Sequence, residues 1–478
     1  MPLILGTNSI KATGFDVDNS VRLDNNAYFS RTFDETGAGA GGGTYKWTLS
    51  IWFKRSLIDG NEHVLMSRYV NANKYVTIKI NGNNKIEYRV YNFANQCRMT
   101  TTAVFRDIAA WTHFVIAQDT SDGTAGDRTK FFINGSRVTA FDTQTNFNQN
   151  VGGDFNTAAA HQLGAYNGGD EFQGYFAQVC FVDNAQYDAD QFGEFDSDSP
   201  TIWKPKDVSG LSTGASSFFL DFADSGDLGD DESGNTNDWT ENNIDATDQS
   251  IDTCTNNFCV MNALENYYQA ATLTDGNLKL LTATSSNVAP SLATVGLTAG
   301  KWYYEAKYVS DSLAASSGAI GIVGTQVTSA AGSGMLETAQ KYGLYLNDGD
   351  IWYNNSKVQE LGAHIDHTAT IGIALDFDNN RITFSIDGGW GDGSGNWDES
   401  SPHTYYTVAA PSAVDFGAYF PAFGDWSSGS IGYEINFGSP IYSISSGNQD
   451  ANGYGNFEYA VPSGYFSICT KNLAEYGG

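Results

Sequence analysis

The residues that could do chemistry are few and scattered. Glu194-Phe195-Asp196-Ser197-Asp198 crowds carboxylates together. Glycoside hydrolysis needs two such groups a few ångströms apart, one as acid and one as nucleophile or base. This run heads into Pro200 and reads as a solvated acidic loop. His364-Ile365-Asp366-His367 spaces its histidines three apart. On a helix they could share a metal, but beside a strand they face opposite ways, and no third ligand follows. Cys254 and Cys259 lack the second pair that zinc requires. Asp221, Asp224, Asp227, Asp230, Asp231 and Glu232 form an acidic run. Calcium takes many oxygen ligands, but the spacing is not that of an EF-hand loop, so calcium is left open beside a plain solvated loop. No nucleophile elbow, P-loop, HExxH or dinucleotide fingerprint occurs. The expectation is a protein without catalytic residues, cofactor or metal.

Aromatic residues in polar surroundings are the other signal. Trp352 and Tyr353 follow Asp350, Trp390 and Trp397 sit among glycines, and Trp426 lies between Asp425 and two serines. Exposed aromatic faces stack on sugar rings or anchor a protein partner. Each residue singly could equally plug the end of a core. As a group they are the candidate ligand-binding surface.

These side chains must be carried by strands. In ATIGIALDFDNNRITFSIDGG, Ile371, Ile373, Leu375 and Phe377 alternate with small or polar residues, as do Ile382, Phe384 and Ile386. A two-residue turn at Asn379-Asn380 would pair Phe377 with Ile382, Leu375 with Phe384 and Ile373 with Ile386. Val76, Ile78 and Ile80 are answered by Ile86, Tyr88 and Val90 after a turn at Asn81 to Asn84. TKFFINGSRV turns on Asn134-Gly135, a strong hairpin pair. Aromatics reach 14%, glycines number 52 and prolines only 9, which suits strands and tight turns. No long capped pattern of period 3.6 is visible. The fold class is therefore all-β, and 478 residues call for more than one core.

Lys plus Arg total 25 against 55 Asp plus Glu, a net charge of −30. Such a surface repels nucleic acid and anionic membrane. Met1-Pro2-Leu3-Ile4-Leu5 lacks the basic flank and apolar length of a signal peptide, and no segment approaches a membrane span. Five scattered cysteines argue for free buried thiols and synthesis in a reducing cytoplasm.

The order SIWFKR, AAWTHFVIAQD, KFFINGSRV, EFQGYFAQVCFVDNA resembles a laminin-G-like (concanavalin A-like) jelly roll. Trp111, His113 and Phe114 match its W-x-H-V strand. Phe132, Ile133, Asn134 and Gly135 match its F/Y-V-N-G hairpin, and Phe172, Gly174, Ala177 and Val179 its F-x-G-x-I-x-x-V strand. Further on, GKWYYE, IGIALDF, FPAFG and EINFG resemble successive strands of a SPRY domain, with GGWGDGSGNW as an added loop. The first resemblance implies kinship with sandwich laminarinases, yet their E-x-D-x-x-E strand motif is absent. The two modules together, with TDQSIDTCTNNF between them and PSGYFSICTKNL in the tail, resemble structural proteins of bacteriophages, especially those infecting marine bacteria.

The organisation expected is an arm over 1–20, a laminin-G-like sandwich over 21–222, a polar linker over 223–274, a SPRY-like sandwich over 275–445 and an aromatic tail over 446–478 with two short strands. The resemblance implies a non-enzymatic virion protein, a tail fibre or capsid decoration, made in the host cytoplasm and oligomeric in the particle. Its partners would be other virion proteins and a host-surface glycan or protein. A pure assembly protein and a polysaccharide depolymerase are the alternatives.

Overall fold

A computed structural model describes residues 13–33, 45–152, 155–211, 214–265, 271–283, 290–311, 317–326, 334–425 and 430–477. The chain is all-β. Among the described residues the one α-helix is Thr470–Tyr476, and no helix is long and apolar enough to cross a membrane. Two compact units emerge, Thr13–Thr255 and a second that includes Asn256–Gly478.

The first unit is a sandwich of two antiparallel sheets. One sheet runs in the order Ser136–Arg137, Thr129–Ile133, Thr112–Asp119, Lys46–Arg55, Gly174–Asp183, Ser20–Leu23, Gln249–Ser250, with Phe218–Leu220 also on Gly174–Asp183. The other runs Phe141–Thr145, Asn95–Thr101, Ile86–Asn92, Lys74–Ile80, His63–Asn71, Ala160–Leu163, Tyr28–Thr32, Thr240–Asn242. Alternation sends Leu49, Ile51, Phe114 and Phe176 from the first sheet, and Val76, Ile78, Tyr88 and Met99 from the second, into one buried core. The outer face of the first sheet is covered by the segment after Asp183, through Ala189, Phe192 and Val208 packed on Val115, Cys180 and Val182. The outer face of the second sheet carries Tyr75, Thr77 and Lys79, the residues between the inward Val76, Ile78 and Ile80.

Asn134 and Gly135 both take positive φ, 45° and 77°, and close the expected two-residue hairpin, with Ile133 opposite Ser136. Trp203 lies against Gly135, where a Cβ would come within 2.3 Å of the indole.

The stretch expected as a linker is corrected by the structure. Thr240–Asn242 pairs with Tyr28–Thr32, and Gln249–Ser250 pairs with Ser20–Leu23, so residues up to Thr255 complete the first unit's sheets. Strands this short have no readable period. Side chains hold the rest: Asp231 accepts from the backbone N–H of Phe219, Ser233 and Asn237.

Among the described residues the second unit stacks a nine-stranded sheet on a six-stranded one. Lys301–Asp311 lies between Ile431–Asn436 and Thr370–Asp376, and Thr370–Asp376 is followed by Arg381–Ile386. Gly318–Val323 lies between Phe420–Asp425 and Lys341–Tyr345. The sheets meet where Tyr304 packs on Phe423, and where the Tyr433 hydroxyl donates to the Gly424 carbonyl at 3.0 Å.

The central hairpin forms with a corrected register. Asp376 faces Arg381, Leu375 faces Ile382, Ile373 faces Phe384 and Ile371 faces Ile386, around a loop spanning Phe377 to Asn380. The shift moves pairing by two residues, so the apolar faces still meet. Its cause is the charge pair: Arg381 Nε donates to Asp376 Oδ2 at 2.9 Å, and Phe377 leaves the ladder to stack on Tyr419.

The tail is not strand-forming as expected. It makes isolated bridges, Phe466 to Trp302 and Phe457 to Asn448, and ends in the short helix. Glu305, wholly buried, anchors it by accepting from the backbone N–H of Glu458 and Tyr459 at 2.9 and 2.8 Å.

Candidate ligand-binding surface

Among the described residues, the aromatics singled out by sequence do not form one surface. Trp390 is buried at 4% exposure, in a cluster with Tyr303, Ala374, Phe457 and Tyr465. Its glycine neighbours suggested a loop, but it lies in the short strand Gly389–Gly391, against residues supplied by the tail. Trp397 lies over Gly362 and donates to the Ala363 carbonyl at 3.1 Å. Trp352 and Tyr353 are adjacent on one strand and point to opposite faces of their sheet. Trp352 donates to Asp348 and meets Tyr345 edge-on, whereas Tyr353 stacks on Tyr342 at 4.4 Å. Trp426 lies outside the described residues.

A different aromatic set does converge, at the outer side of the second sheet of the first unit. Tyr69 faces Tyr75 across one strand pair, and Tyr75 faces Tyr91 across the next. Tyr75 and Tyr91 stack at 5.2 Å with an interplanar angle of 25°. Tyr166, from the loop after Ala160–Leu163, meets Tyr69 and Tyr75 edge-on at 5.4 and 5.6 Å. The Arg89 guanidinium lies 5.6 Å from the ring centre of Tyr75 and 5.0 Å from that of Tyr91. Asn95 Oδ1 accepts from Arg89 Nε at 2.9 Å and fixes its plane. All four tyrosines are half-buried. Phe93, 76% exposed, stands at the turn that follows Tyr91. Burial first, then the neighbouring Tyr75, Tyr69 and Asp170, pushes the Tyr166 hydroxyl up to about 12, so it remains a donor at physiological pH.

The sequence signal for this row was the pairing itself. The hairpin that puts Val76 opposite Val90 also puts Tyr75 opposite Tyr91. Tyr69 joins only through the preceding turn, and Tyr166 only through tertiary packing.

The carboxylate candidates are differently disposed. Lys204 Nζ lies 3.5 Å from Glu194 and 3.3 Å from Asp196. The Asp196 carboxyl is held below its usual range, chiefly by the Ser199 N–H. In the acidic run, Asp231 is buried in backbone hydrogen bonds. The Asp227 and Asp230 carboxyls are pushed up by burial and then by neighbouring carboxylates. Among the described residues no three His, Cys, Asp or Glu side chains gather as a metal site. His364 is exposed and bonds the Asn347 carbonyl. The described cysteines are all free thiols.

Ser50 and His113 touch at 2.8 Å but do not form a nucleophile–base pair. The Trp203 indole donates to His113 Nδ1 at 2.9 Å, which leaves Nε2 to donate to the serine oxygen. Burial pushes this imidazole down to about 3.

Residues 30–190 match the family described as the concanavalin A-like lectin/glucanases superfamily. No curated protein matches. Among solved structures, the SPRY domain of human HERC1 aligns at 14% identity over 34% of this chain and 91% of that one, with a TM-score of 0.25. Another human SPRY domain aligns at 15% identity over 37% and 97%, also at 0.25. A heptameric SAP-like pentraxin from Limulus polyphemus aligns at 14% identity over 36% and 80%, at 0.25.

Proposed function

We propose that this chain is a non-enzymatic structural protein of a bacteriophage particle, and that its first sandwich binds a host-surface glycan on the Tyr69–Tyr75–Tyr91 row. The row itself carries the reading. Three phenol rings in register on adjacent strands, with Arg89 over two of them, make a firm apolar strip edged by donors. Sugar rings present C–H faces and hydroxyl edges that such a strip satisfies at low entropic cost, because the tyrosines are already held. The lectin/glucanase family match over residues 30–190 supports a binding role for the same unit. The particle context rests on the sequence resemblance. Many copies in a particle would raise avidity well beyond one weak site. The second unit, SPRY-like by its strand motifs, would contribute protein contacts within the particle.

The test is a glycan array with the full chain and its Tyr75→Ala and Tyr91→Ala variants. Binding to a defined set of glycans, lost in both variants while the fold persists by circular dichroism, is the expected result. Binding that survives both substitutions rejects the row as the site. Release of reducing sugar from a bound polysaccharide would replace the non-enzymatic reading with a depolymerase.

A further inference from the structure

Arg89 differs from the other cations around it. Alternation along Ile86–Asn92 puts Glu87, Arg89 and Tyr91 on one face. Arg89 stands directly opposite Arg98 on the next strand, a like-charge pair that costs stability. Arg98 is neutralised, because its Nη2 and Nε lie 2.9 and 3.2 Å from Glu87 Oε2. Lys79 lies 2.6 Å from Glu62 and 3.7 Å from the same Glu87. Glu87, 2% exposed, is thus taken up by its two other neighbours. Among the described residues Arg89 forms no ion pair. Asp and Glu outnumber Lys and Arg by 55 to 25, so this is not for want of carboxylates in the chain.

The guanidinium is nevertheless held. Nε donates to Asn95 Oδ1 at 2.9 Å, and the ring centres of Tyr75 and Tyr91 lie 5.6 and 5.0 Å away. Nη1 and Nη2 make no hydrogen bond to the described residues and neither is enclosed, so both face water. An arginine fixed through Nε and two rings, with both Nη groups open, is a pre-set fork for a planar anion. At the other end of the row Asp170 is close enough to raise the Tyr166 hydroxyl. A negative group on a ligand is therefore directed to the Arg89 end.

We propose that the tyrosine row takes an acidic sugar, a hexuronate unit whose carboxylate accepts from Arg89 Nη1 and Nη2 while its ring lies on the phenol strip. This rests on the reading of the row as a glycan site and adds the charge of the ligand. The chain carries a net charge of −30, so a polyanion finds no general attraction to it and saturable binding reports the fork.

The test is isothermal titration of the full chain with short oligomers of galacturonate and of mannuronate, with their methyl esters, and with a neutral galactan oligomer. The ester keeps the ring and the carbonyl but not the charge. At least one acid should bind about tenfold or more tighter than its ester, the scale of a charge-assisted hydrogen bond. That ratio should fall to about one in Arg89→Gln and lie between in Arg89→Lys, which keeps the charge without the fork. Arg89→Lys decides the matter if Arg89→Gln fails to fold, and an unchanged ratio there overturns the fork. Ester or galactan binding as tight as that of the acid, or acid binding unchanged in Arg89→Gln, overturns the acidic sugar and leaves the row to neutral glycans. Saturation by none of these also overturns the acidic sugar, while the glycan array with Tyr75→Ala judges the row separately.

Discussion

Lys54 and Asp252 form an ion pair buried on both sides. Nζ and Oδ2 lie 2.7 Å apart, with 0% and 1% of the side chains exposed. Asp252 Oδ1 also accepts from Trp111 Nε1 at 3.1 Å, and its backbone carbonyl accepts from Ser20 Oγ at 2.7 Å. Lys54 and Trp111 thus share the Asp252 carboxylate, while Ser20 holds its backbone carbonyl. Removing one member of such a pair strands the other charge in the core. Asp252→Ala should destabilise the first unit by about 3–5 kcal/mol, and the paired change Lys54→Met, Asp252→Leu by clearly less. Urea unfolding followed by tryptophan fluorescence measures both. A cost for Asp252→Ala within about 0.5 kcal/mol, the scale of an ordinary surface change, would mean the pair is solvated.

Trp390 and Tyr75 should separate stability from binding. Trp390 fills the cluster with Tyr303, Phe457 and Tyr465, so Trp390→Ala opens a large cavity. The expected loss is about 3–5 kcal/mol in the second unit, with glycan binding by the folded fraction unchanged. Tyr75→Ala, on a half-open face, should abolish binding at a smaller cost in stability. Lost binding in folded Trp390→Ala with normal binding in Tyr75→Ala would reverse the placement of the site.

What the sequence made legible follows from the range of the interactions. Period-two alternation and the Asn134-Gly135 turn are local, so the strands and that hairpin could be read directly. The burial of Trp390 depends on Phe457 and Tyr465, far along the chain, and its glycine neighbours mimic a loop. The polar stretch after Phe222 escaped because it is held by side chain–backbone bonds such as those of Asp231, which carry no hydropathy pattern. The tyrosine row needed two registers at once, and only one of them was written in the apolar pattern.

The central hairpin shows how a charge pair can set register. Asp376 is wholly buried and receives Arg381 Nε and the Asn379 amide at 2.9 and 2.8 Å, with Lys301 at 3.6 Å. Asp376→Asn keeps the shape but removes the charge that these donors face. A loss of about 1.5–3 kcal/mol is expected, comparable to a hydrogen bond to a charged group. Cross-strand proton contacts in NMR should pair Leu375 with Ile382 in the parent protein. Contacts pairing Phe377 with Ile382 instead would refute the loop described.

The acid response of the first unit should be set by two buried imidazoles. His113 and His161 are each pushed from 6.5 down to about 3, in both cases first by burial. His113 is closed between Ser50 and the Trp203 indole, while His161 donates from Nδ1 to the Ala159 carbonyl and sits edge-on to Phe33. Neither site accommodates a second ring proton. In the unfolded chain both rings protonate near 6.5, so below that pH the unfolded state binds protons that the folded state refuses. Stability is therefore complete above about pH 6.5 and falls as pH is lowered toward about 3, by about 1.4 kcal/mol per pH unit for each histidine. Carboxyls at their ordinary values titrate below about pH 5, and the raised Asp227, Asp230 and Glu305 carboxyls, which take up protons in the folded state, act against the slope. The urea midpoint should drop across that window, and the Cε1 proton shifts of both rings should stay at neutral values down to pH 5. Ring signals that titrate near 6.5 in the folded protein, with a flat midpoint, would contradict the closed sites.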